Sequence, residues 1–419
     1  MRKILLYTLM TLAAAGMASC EDFLTRDTYD QIGSDEFWKS ETDLELYANG
    51  FIQKMIPGDG TITRGDIDAD YCAVDIPTDL LRPDGNVSPD NQTGWAESNW
   101  TNLRRVNYML DNMHKCKGRV SDEIYNHYEG VARFWRAWFY YDKVPWYDFT
   151  IAASDKEAMM KPRDSREYVM DKVLEDLTFA STYCLSDAKF TKGSALINKW
   201  VALAFKSRVC LFEAAYRRYH NLTELEITPE ELYREAAKAA KLVIDNSGCS
   251  LNTATGKKGA YRDLFYNETP LTQEVILAVC ANEKSGIFGE QNWWFNARSY
   301  GLCWSLVRSF VHTYLKLDGT PFTDAADYAV KSFTEEMEGR DLRLEQTVRG
   351  RNFLWDGKTA VADIKNLSLT GYQVIKYTLD ESKYDGGAKN INSIPLIRYA
   401  EVLLNYAEAQ AELGVITDS

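Results

Sequence analysis

The sequence predicts a mostly α-helical fold, in which TPR-like helical hairpins form a scaffold that carries long irregular loop insertions. Apolar residues recur at helical spacing in several long segments, and alanine recurs where neighbouring helices would contact each other. Two stretches, 57–98 and 250–300, are rich in turn-forming residues and interrupt the helical segments. These stretches are the predicted insertions.

Five segments each carry one apolar face at the spacing of an amphipathic helix. They are residues 125–144, 166–183, 196 to about 219, 230–245 and 395–413. The last segment has Pro395 near its predicted first turn and Gly414 after its end, which is the usual asymmetry of helix ends. Cys210 lies within the apolar pattern of its segment, so we predict a small core residue there.

The N-terminus has the features of an export signal. Two basic residues precede residues 4–17, which are apolar or small and too few to cross a hydrocarbon core of about 30 Å as a helix. Cys20 follows Met-Ala-Ser, and the four residues together look like a lipobox, the signal for lipidation of the cysteine. The alternative interpretation is a secreted protein that has a cysteine here by chance. We expect residues 1–19 to be a signal peptide, residues 20–419 to be a single domain, and a lipidated Cys20 to anchor the protein to a membrane.

Charge and cysteine content narrow the function classes. The chain has 61 acidic and 48 basic residues, a net charge of −13. Because phosphate neutralisation requires a concentrated basic surface, this balance argues against a nucleic-acid partner. It suits a neutral ligand bound by stacking and hydrogen bonds. No cysteine pair has CxxC spacing, so neither a zinc site nor a redox motif is indicated, and we predict no cofactor.

Residues 291–298, Gln-Asn-Trp-Trp-Phe-Asn-Ala-Arg, combine two features that sugar binding needs. Flat aromatic faces contact the C–H faces of pyranose rings, and planar polar groups pair with adjacent hydroxyls. The candidate ligand-binding residues are Trp293, Trp294, Asn296 and Arg298. In an extended segment the two tryptophans point to opposite sides, so one contacts ligand and the other packs inward. The alternative is that both anchor the loop in the core.

Asn91 and Trp95 are a second candidate of the same chemistry, in the other insertion. The alternative is a turn that a tryptophan pins to the scaffold. Trp304 lies in an apolar run with helical character, residues 302–311, and is predicted to belong to the core.

An alternating acidic pattern, Asp66, Asp68 and Asp70, resembles the start of a calcium-binding loop. Such a loop requires a glycine after its third acidic residue, but Tyr71 follows Asp70 here. The glutamate that closes such a loop is also absent. This departure favours a solvated acidic loop over a metal site.

Catalysis has little support in the sequence. The four histidines show no HExxH or similar spacing, and the Gly-x-Ser-x-Gly and Walker-type patterns are absent. A glycoside hydrolase needs two carboxylates about 5–9.5 Å apart, a distance that a sequence does not give. Glu129 and Glu213 lie in helix interiors and are expected to bond scaffold arginines such as Arg133 and Arg208. We therefore predict that the protein is not an enzyme.

Four segments, in order along the chain, resemble one known family. They are FWKSETDL at 37–44, NWTNLRRVN at 99–107, YEGVARFWRA at 128–137 and IPLIRYAEVLLNYAEA at 394–409. Together they are similar to the SusD/RagB family of nutrient-binding outer-membrane lipoproteins of Bacteroidetes. Residues 143–148 depart from the Gly-Asp-Val-Pro type turn that is usual in the family. Family members also usually continue past the last segment, so we expect the C-terminal part of the family fold to be missing here.

The resemblance implies a surface lipoprotein that captures oligosaccharide and delivers it to a SusC-type TonB-dependent transporter in the outer membrane. It also implies that the TPR-like helices face the transporter, and that Glu21 and Asp22 direct the protein to the cell exterior. One alternative is a protein-binding scaffold or peptide-binding lipoprotein, in which the tryptophans of both insertions are buried. Another is a surface hydrolase, with paired carboxylates of shifted pKa. Exposure of Trp95, Trp293 and Trp294 on a common face would favour glycan binding.

Overall fold

The computed structural model describes residues 37–56, 58, 62, 65–85, 97–143, 164–222, 225–296, 303–359 and 368–416. In these residues the α-helices are α1 (Glu41–Met55), α2 (Thr101–Asn112), α3 (Asp122–Lys143), α4 (Arg166–Tyr183), α5 (Ala188–Thr191), α6 (Lys199–Tyr219), α7 (Pro229–Asn246), α8 (Ala260–Tyr266), α9 (Gln291–Asn296), α10 (Arg308–Thr313), α11 (Phe333–Met337), α12 (Leu342–Thr347) and α13 (Tyr399–Glu412). The strands are β1 (Cys72–Ala73), β2 (Val275–Val279), β3 (Ser305–Leu306), β4 (Leu354–Trp355), β5 (Lys358–Thr359) and β6 (Ile394–Arg398).

The long helices pack against their neighbours in the chain. α3 contacts α1, α2 and α4, α6 contacts α4 and α7, and α13 contacts α7 and α6. This pairing confirms the predicted mostly α, TPR-like arrangement of helical hairpins. None of the helices in the described part of the chain is long and apolar enough to span a membrane.

The long helices share one hydrophobic core. Alanine occupies many of the closest contacts, as the sequence predicted, with Ala132, Ala180, Ala204, Ala214, Ala236 and Ala240 all buried. Because these side chains are small, neighbouring helix backbones can approach each other closely. Cys210 is fully buried in this core, and burial raises the pKa of its thiol to about 12. The thiol therefore stays protonated at neutral pH, as expected of a structural cysteine.

Local sequence explains where several helices begin. Asn198 caps α6 through its side chain, which accepts from the backbone N–H groups of the first turn. α7 starts with a capping box between Thr228 and Glu231, and Pro229 occupies its first turn. Such caps satisfy backbone donors that have no partner within the helix.

The last predicted helix is shorter than expected. α13 begins at Tyr399, and Pro395 lies instead in β6, which pairs antiparallel with β2. β2 consists of five consecutive apolar residues and is a buried strand. The apolar residues before α13 form β6 and pair with β2, so they do not extend the helix. The predicted end of this helix is confirmed, because Gly414 lies just after α13 and adopts a left-handed φ of 70°.

The insertions contain more regular structure than predicted. The stretch 250–300 includes α8, β2 and α9, and the described part of 57–98 includes β1, which pairs with β3. Trp304 is 5% exposed in a second hydrophobic cluster, which confirms its core position. The described part of the run 302–311 is not one helix, however, because it divides into β3 and α10. Pairing with β1 competes with helix formation there.

Ion pairs between side chains connect α3 to α4. Glu129 accepts from Arg133 one helical turn later, at 2.7 Å, which confirms this predicted pair. Asp176 of α4 accepts from Arg136 at 2.6 Å and lies 3.5 Å from Arg133. The carboxylate of Asp176 is buried, so these charge-assisted bonds fix the register between the two helices.

Glu213 bonds scaffold arginines, as predicted, but Arg208 is not one of them. Glu213 is fully buried and accepts from Arg217 at 2.7 Å and from Arg166 of α4 at 2.9 Å. Arg208 lies on another side of α6 and binds Glu401 of α13 at 2.5 Å. The sequence shows which charges share a helix, whereas the partner depends on which neighbouring helix each face contacts.

Another buried carboxylate, Glu336, stabilises the cluster that contains Trp304. It accepts from Arg308 Nε at 2.7 Å, from His312 Nε2 at 3.0 Å and from the Tyr372 hydroxyl. Burial alone would raise the pKa of Glu336, but these hydrogen bonds outweigh burial and hold the pKa below its ordinary value. The ionised form is therefore the form that stabilises the folded state.

We expect Glu336→Gln to lower the free energy of unfolding by about 2 kcal/mol at pH 7, because three donors lose a charged acceptor. Since the folded-state pKa lies below the ordinary value of 4.5, the carboxylate stabilises the fold above that pH. This contribution disappears as pH falls through the folded-state pKa. Urea unfolding from pH 7 to pH 3 measures it, with exposed Glu338→Gln as control. Equal stability of Glu336→Gln and wild type at pH 7 would contradict this role.

Candidate functional site

The short helix α9 carries the candidate tryptophans, and a buried asparagine network holds it in place. Asn292 is fully buried, donates to the Leu379 carbonyl and accepts from the Leu379 N–H. Asn390 donates to Asn292 at 2.7 Å and to Asn392 at 3.0 Å, and Asn392 donates to two backbone carbonyls. A buried network whose polar groups are satisfied is rigid, so it fixes α9 relative to residues 379–392.

The two tryptophans differ in their surroundings. Trp294 is partly buried and packs against the hydrophobic cluster that contains Trp304. Its neighbour Phe295 is 3% exposed and meets the Trp304 ring edge-on at 5.6 Å. Trp293 is partly exposed to a similar degree, but it does not belong to the hydrophobic clusters of the described residues. Trp294 therefore anchors α9 in that cluster, and Trp293 stays the candidate for ligand contact.

The expectation of an extended segment was wrong, because residues 291–296 form α9. In a helix, residues three apart lie on the same side, so Trp293 and Asn296 share one side of α9. Successive residues differ by about 100° around a helix, which still directs Trp294 away from Trp293.

A half-buried carboxylate lies beside Asn296. Asp385 Oδ1 accepts from the side-chain amides of Asn292 and Asn296, each at 3.1 Å. Within the described residues, Asp385 Oδ2 receives no side-chain hydrogen bond. Burial raises the pKa of Asp385 above its ordinary value, although the two amides favour the ionised form. Asn296 was predicted to contact ligand, but its amide also orients this carboxylate.

A third aromatic residue is connected to this group through polar contacts. Gln373 donates to Asn296 Oδ1 at 3.3 Å, and Arg349 donates to Gln373 at 3.1 Å. The Arg349 guanidinium in turn lies 5.8 Å from the ring centre of Trp355. Trp355 is partly exposed and belongs to the hairpin of β4 and β5. It was not among the predicted site residues.

The hairpin had a signal in the sequence. Its loop is Asp356-Gly357, and both residues have positive φ, 48° and 72°. Asp-Gly between two strands is a strong indicator of a tight two-residue turn, which places Trp355 directly before it. Asp356 Oδ1 accepts from the Ser382 N–H at 2.9 Å, so the hairpin is docked on the segment that contains Asp385.

We name this group the Trp293 surface, defined by Trp293, Asn296, Arg349, Trp355, Gln373 and Asp385. It combines two partly exposed aromatic rings with amide, guanidinium and carboxylate groups. Gln373 and Arg349 are buried and connect the group internally. The groups that can pair with sugar hydroxyls are the half-buried Asn296 amide and Asp385 carboxylate, and the rings offer flat apolar faces.

Four predicted site residues, Cys20, Asn91, Trp95 and Arg298, lie outside the described residues, as do Glu21 and Asp22. Asp66 and Asp68 are in a 3₁₀ helix, Gly65–Asp68, and the Asp66 carbonyl accepts from Cys72 Sγ at 2.7 Å. Among the described residues no three His, Cys, Asp or Glu side chains converge in a group that could hold a metal ion.

Two family models match the chain, in separate parts. The model described as "SusD family" matches residues 273–418, and the model described as "Starch-binding associating with outer membrane" matches residues 76–211. Together they match more than half of the sequence. The chain belongs to the SusD/RagB family. The segments at 99–107, 128–137 and 394–409, which carried the resemblance, lie inside the matched regions.

Solved structures share the fold of this SusD-family chain. A SusD-like protein from Bacteroides fragilis has 22% sequence identity and a TM-score of 0.68, over 93% of this chain and 79% of that one. A SusD-like carbohydrate-binding protein from the same species has 20% identity and a TM-score of 0.67, over 90% and 75%. A third structure, described as holding xylogluco-oligosaccharide, has 17% identity and a TM-score of 0.50, over 90% and 70%. A comparison with curated proteins gives no match.

Proposed function

We propose that the protein binds oligosaccharide at the Trp293 surface. The observation that carries this proposal is the partly exposed Trp293 ring on the same side of α9 as Asn296, whose amide holds Asp385. The similar structures described as carbohydrate-binding or as holding xylogluco-oligosaccharide support the same ligand class. Asp385 and Asp356 give this part of the molecule acidic character, which favours neutral sugars over uronic acids.

The proposal extends to delivery and location. A protein of this family would pass its ligand to a SusC-type TonB-dependent transporter, and the description of one matching family model supports association with the outer membrane. Cys20 would carry the lipid anchor, with the protein facing the exterior. The protein would act by binding alone, without catalysis.

A second candidate function is glycoside hydrolysis, because the pKa values of two nearby carboxyls move in opposite directions. The pKa of Asp385 is raised, mainly by burial, and the pKa of Asp356 is lowered by hydrogen bonds from Ser382. Carboxyl pairs of this kind carry out acid–base chemistry in hydrolases. The Asp356 carboxylate, however, accepts the hydrogen bond that docks the β4–β5 hairpin. This structural role accounts for its lowered pKa without a catalytic one. Binding therefore remains the first proposal.

A screen against plant and host glycans tests the proposal. Affinity electrophoresis detects binding, and chromatography of the incubated glycans detects released fragments. Binding without released product supports the proposal, whereas release of shorter sugars would support the hydrolase. A folded protein that binds no glycan on the panel would favour a protein-binding scaffold or peptide capture.

We expect Asp385→Asn to weaken binding of the best oligosaccharide about tenfold, because a charged acceptor of hydroxyl protons is lost. Since the pKa of Asp385 is raised, wild-type binding should weaken with acidification at a higher pH than the ordinary 3.8 of an aspartate. Calorimetric titration across the acidic range measures both effects. Asp318→Asn, at an exposed turn, is the matched control. Unchanged affinity in Asp385→Asn would remove this residue from the site.

A further inference from the structure

A cavity of about 780 Å³ lies apart from the Trp293 surface. Its walls come from the loop 251–257, from α8, from the turn 315–319, from the start of α12 and from the junction of β6 and α13. None of the residues that define the Trp293 surface lines it. The volume lies in the range of small-molecule sites, about 300–1,000 Å³.

The cavity wall is cationic in a protein of net charge −13. Four basic side chains and two carboxylates line it. Both carboxylates are already bonded within the wall. Glu274 accepts from Arg398 and from the Asn252 N–H, each at 2.7 Å, and Asp341 accepts from the Arg343 guanidinium at 2.5 Å.

The two remaining basic side chains, Lys257 and Lys316, form no ion pair with a carboxylate of the described residues. Lys316 is half-buried, and its backbone N–H donates a hydrogen bond to the Thr320 carbonyl at 2.9 Å. Asp318 is near Lys316 but uses its carboxylate to accept from Thr320. Lys376, behind the wall, lies 5.5 Å from the ring centre of Tyr261. These positive charges are arranged to attract an anion.

The same cavity has an apolar rim. Four leucines that line it are strongly exposed, with 47% of Leu251, 43% of Leu315, 64% of Leu317 and 69% of Leu404 accessible to solvent. Exposed aliphatic side chains around a concave site gain free energy when an apolar ligand covers them.

We infer that this cavity binds a small amphipathic anion, a carboxylate with an aliphatic chain. The carboxylate lies near Lys257 and Lys316, and the chain lies against the leucines. The site does not depend on the Trp293 surface, so its ligand is distinct from the glycan.

Calorimetric titration of the protein with decanoate and with 1-decanol tests the inference. We expect saturable binding of decanoate, with 1-decanol about tenfold weaker because it lacks the charge. A Lys257→Gln and Lys316→Gln double variant should bind decanoate about tenfold more weakly. Lys258→Gln is the matched control, because Lys258 is exposed and does not line this cavity.

Absence of decanoate binding, equal affinity for 1-decanol, or unchanged affinity in the double variant would each overturn the inference. Trp293→Ala should bind decanoate as wild type does. Loss of decanoate binding in Trp293→Ala would also overturn it, because the two sites would then not be separate. Glycan binding is read out independently, so failure of one proposal leaves the other measurable.

Discussion

Trp293→Ala is expected to weaken oligosaccharide binding at least tenfold, about 1.4 kcal/mol or more, while the helical scaffold stays folded. The ring is partly exposed and lies outside the hydrophobic clusters of the described residues, so its removal leaves the core intact. Calorimetry with the best oligosaccharide from the screen measures the affinity, and circular dichroism with thermal unfolding measures the fold.

Tyr219→Ala is the matched control for the loss of an aromatic ring. Tyr219 is 72% exposed at the end of α6, in the helical scaffold, and should have no effect on binding. Unchanged affinity in Trp293→Ala would remove the tryptophan from the site. Unfolding of Trp293→Ala would instead support the alternative that this residue anchors the loop.

Glu213→Ala is expected to have the largest effect on stability, a loss of about 3–5 kcal/mol in the free energy of unfolding. Glu213 and Arg217 are both fully buried, and Arg166 is 6% exposed. Removing the carboxylate leaves two guanidinium groups in the core with one fewer counter-ion, and Asp171 would remain as a partner of Arg217. Uncompensated buried charge is the cause of the expected loss.

Urea unfolding at pH 7 measures this effect. Glu230→Ala is the matched control, since Glu230 pairs with Arg218 at 3.0 Å but is largely exposed. An exposed ion pair of this kind contributes at most about 1 kcal/mol. Similar losses in the two variants would show that the Glu213 cluster does not stabilise the fold as its burial implies.

The helical scaffold was largely predictable from the sequence, because apolar periodicity over several turns reports directly on a buried helix face. α4 has the predicted limits, and α7 differs from its prediction by one residue at each end. The error at Pro395 has a physical cause. A short apolar run fits either a helix or a buried strand, and the presence of β2 beside it decides the outcome.

The candidate site was predictable only in part. Trp293 and Asn296 were proposed because aromatic and amide groups are adjacent in the sequence. Asp385 lies 89 residues beyond Asn296, so only the folded chain brings them together. Trp355 could have been proposed from the Asp-Gly turn that follows it, but its connection to the site depends on Arg349.

A crystal structure of the protein with its best oligosaccharide is the most direct test of glycan binding at the Trp293 surface. We predict a pyranose ring against Trp293 and a sugar hydroxyl within hydrogen-bond distance of Asp385 Oδ2. An oligosaccharide bound away from both residues would contradict it.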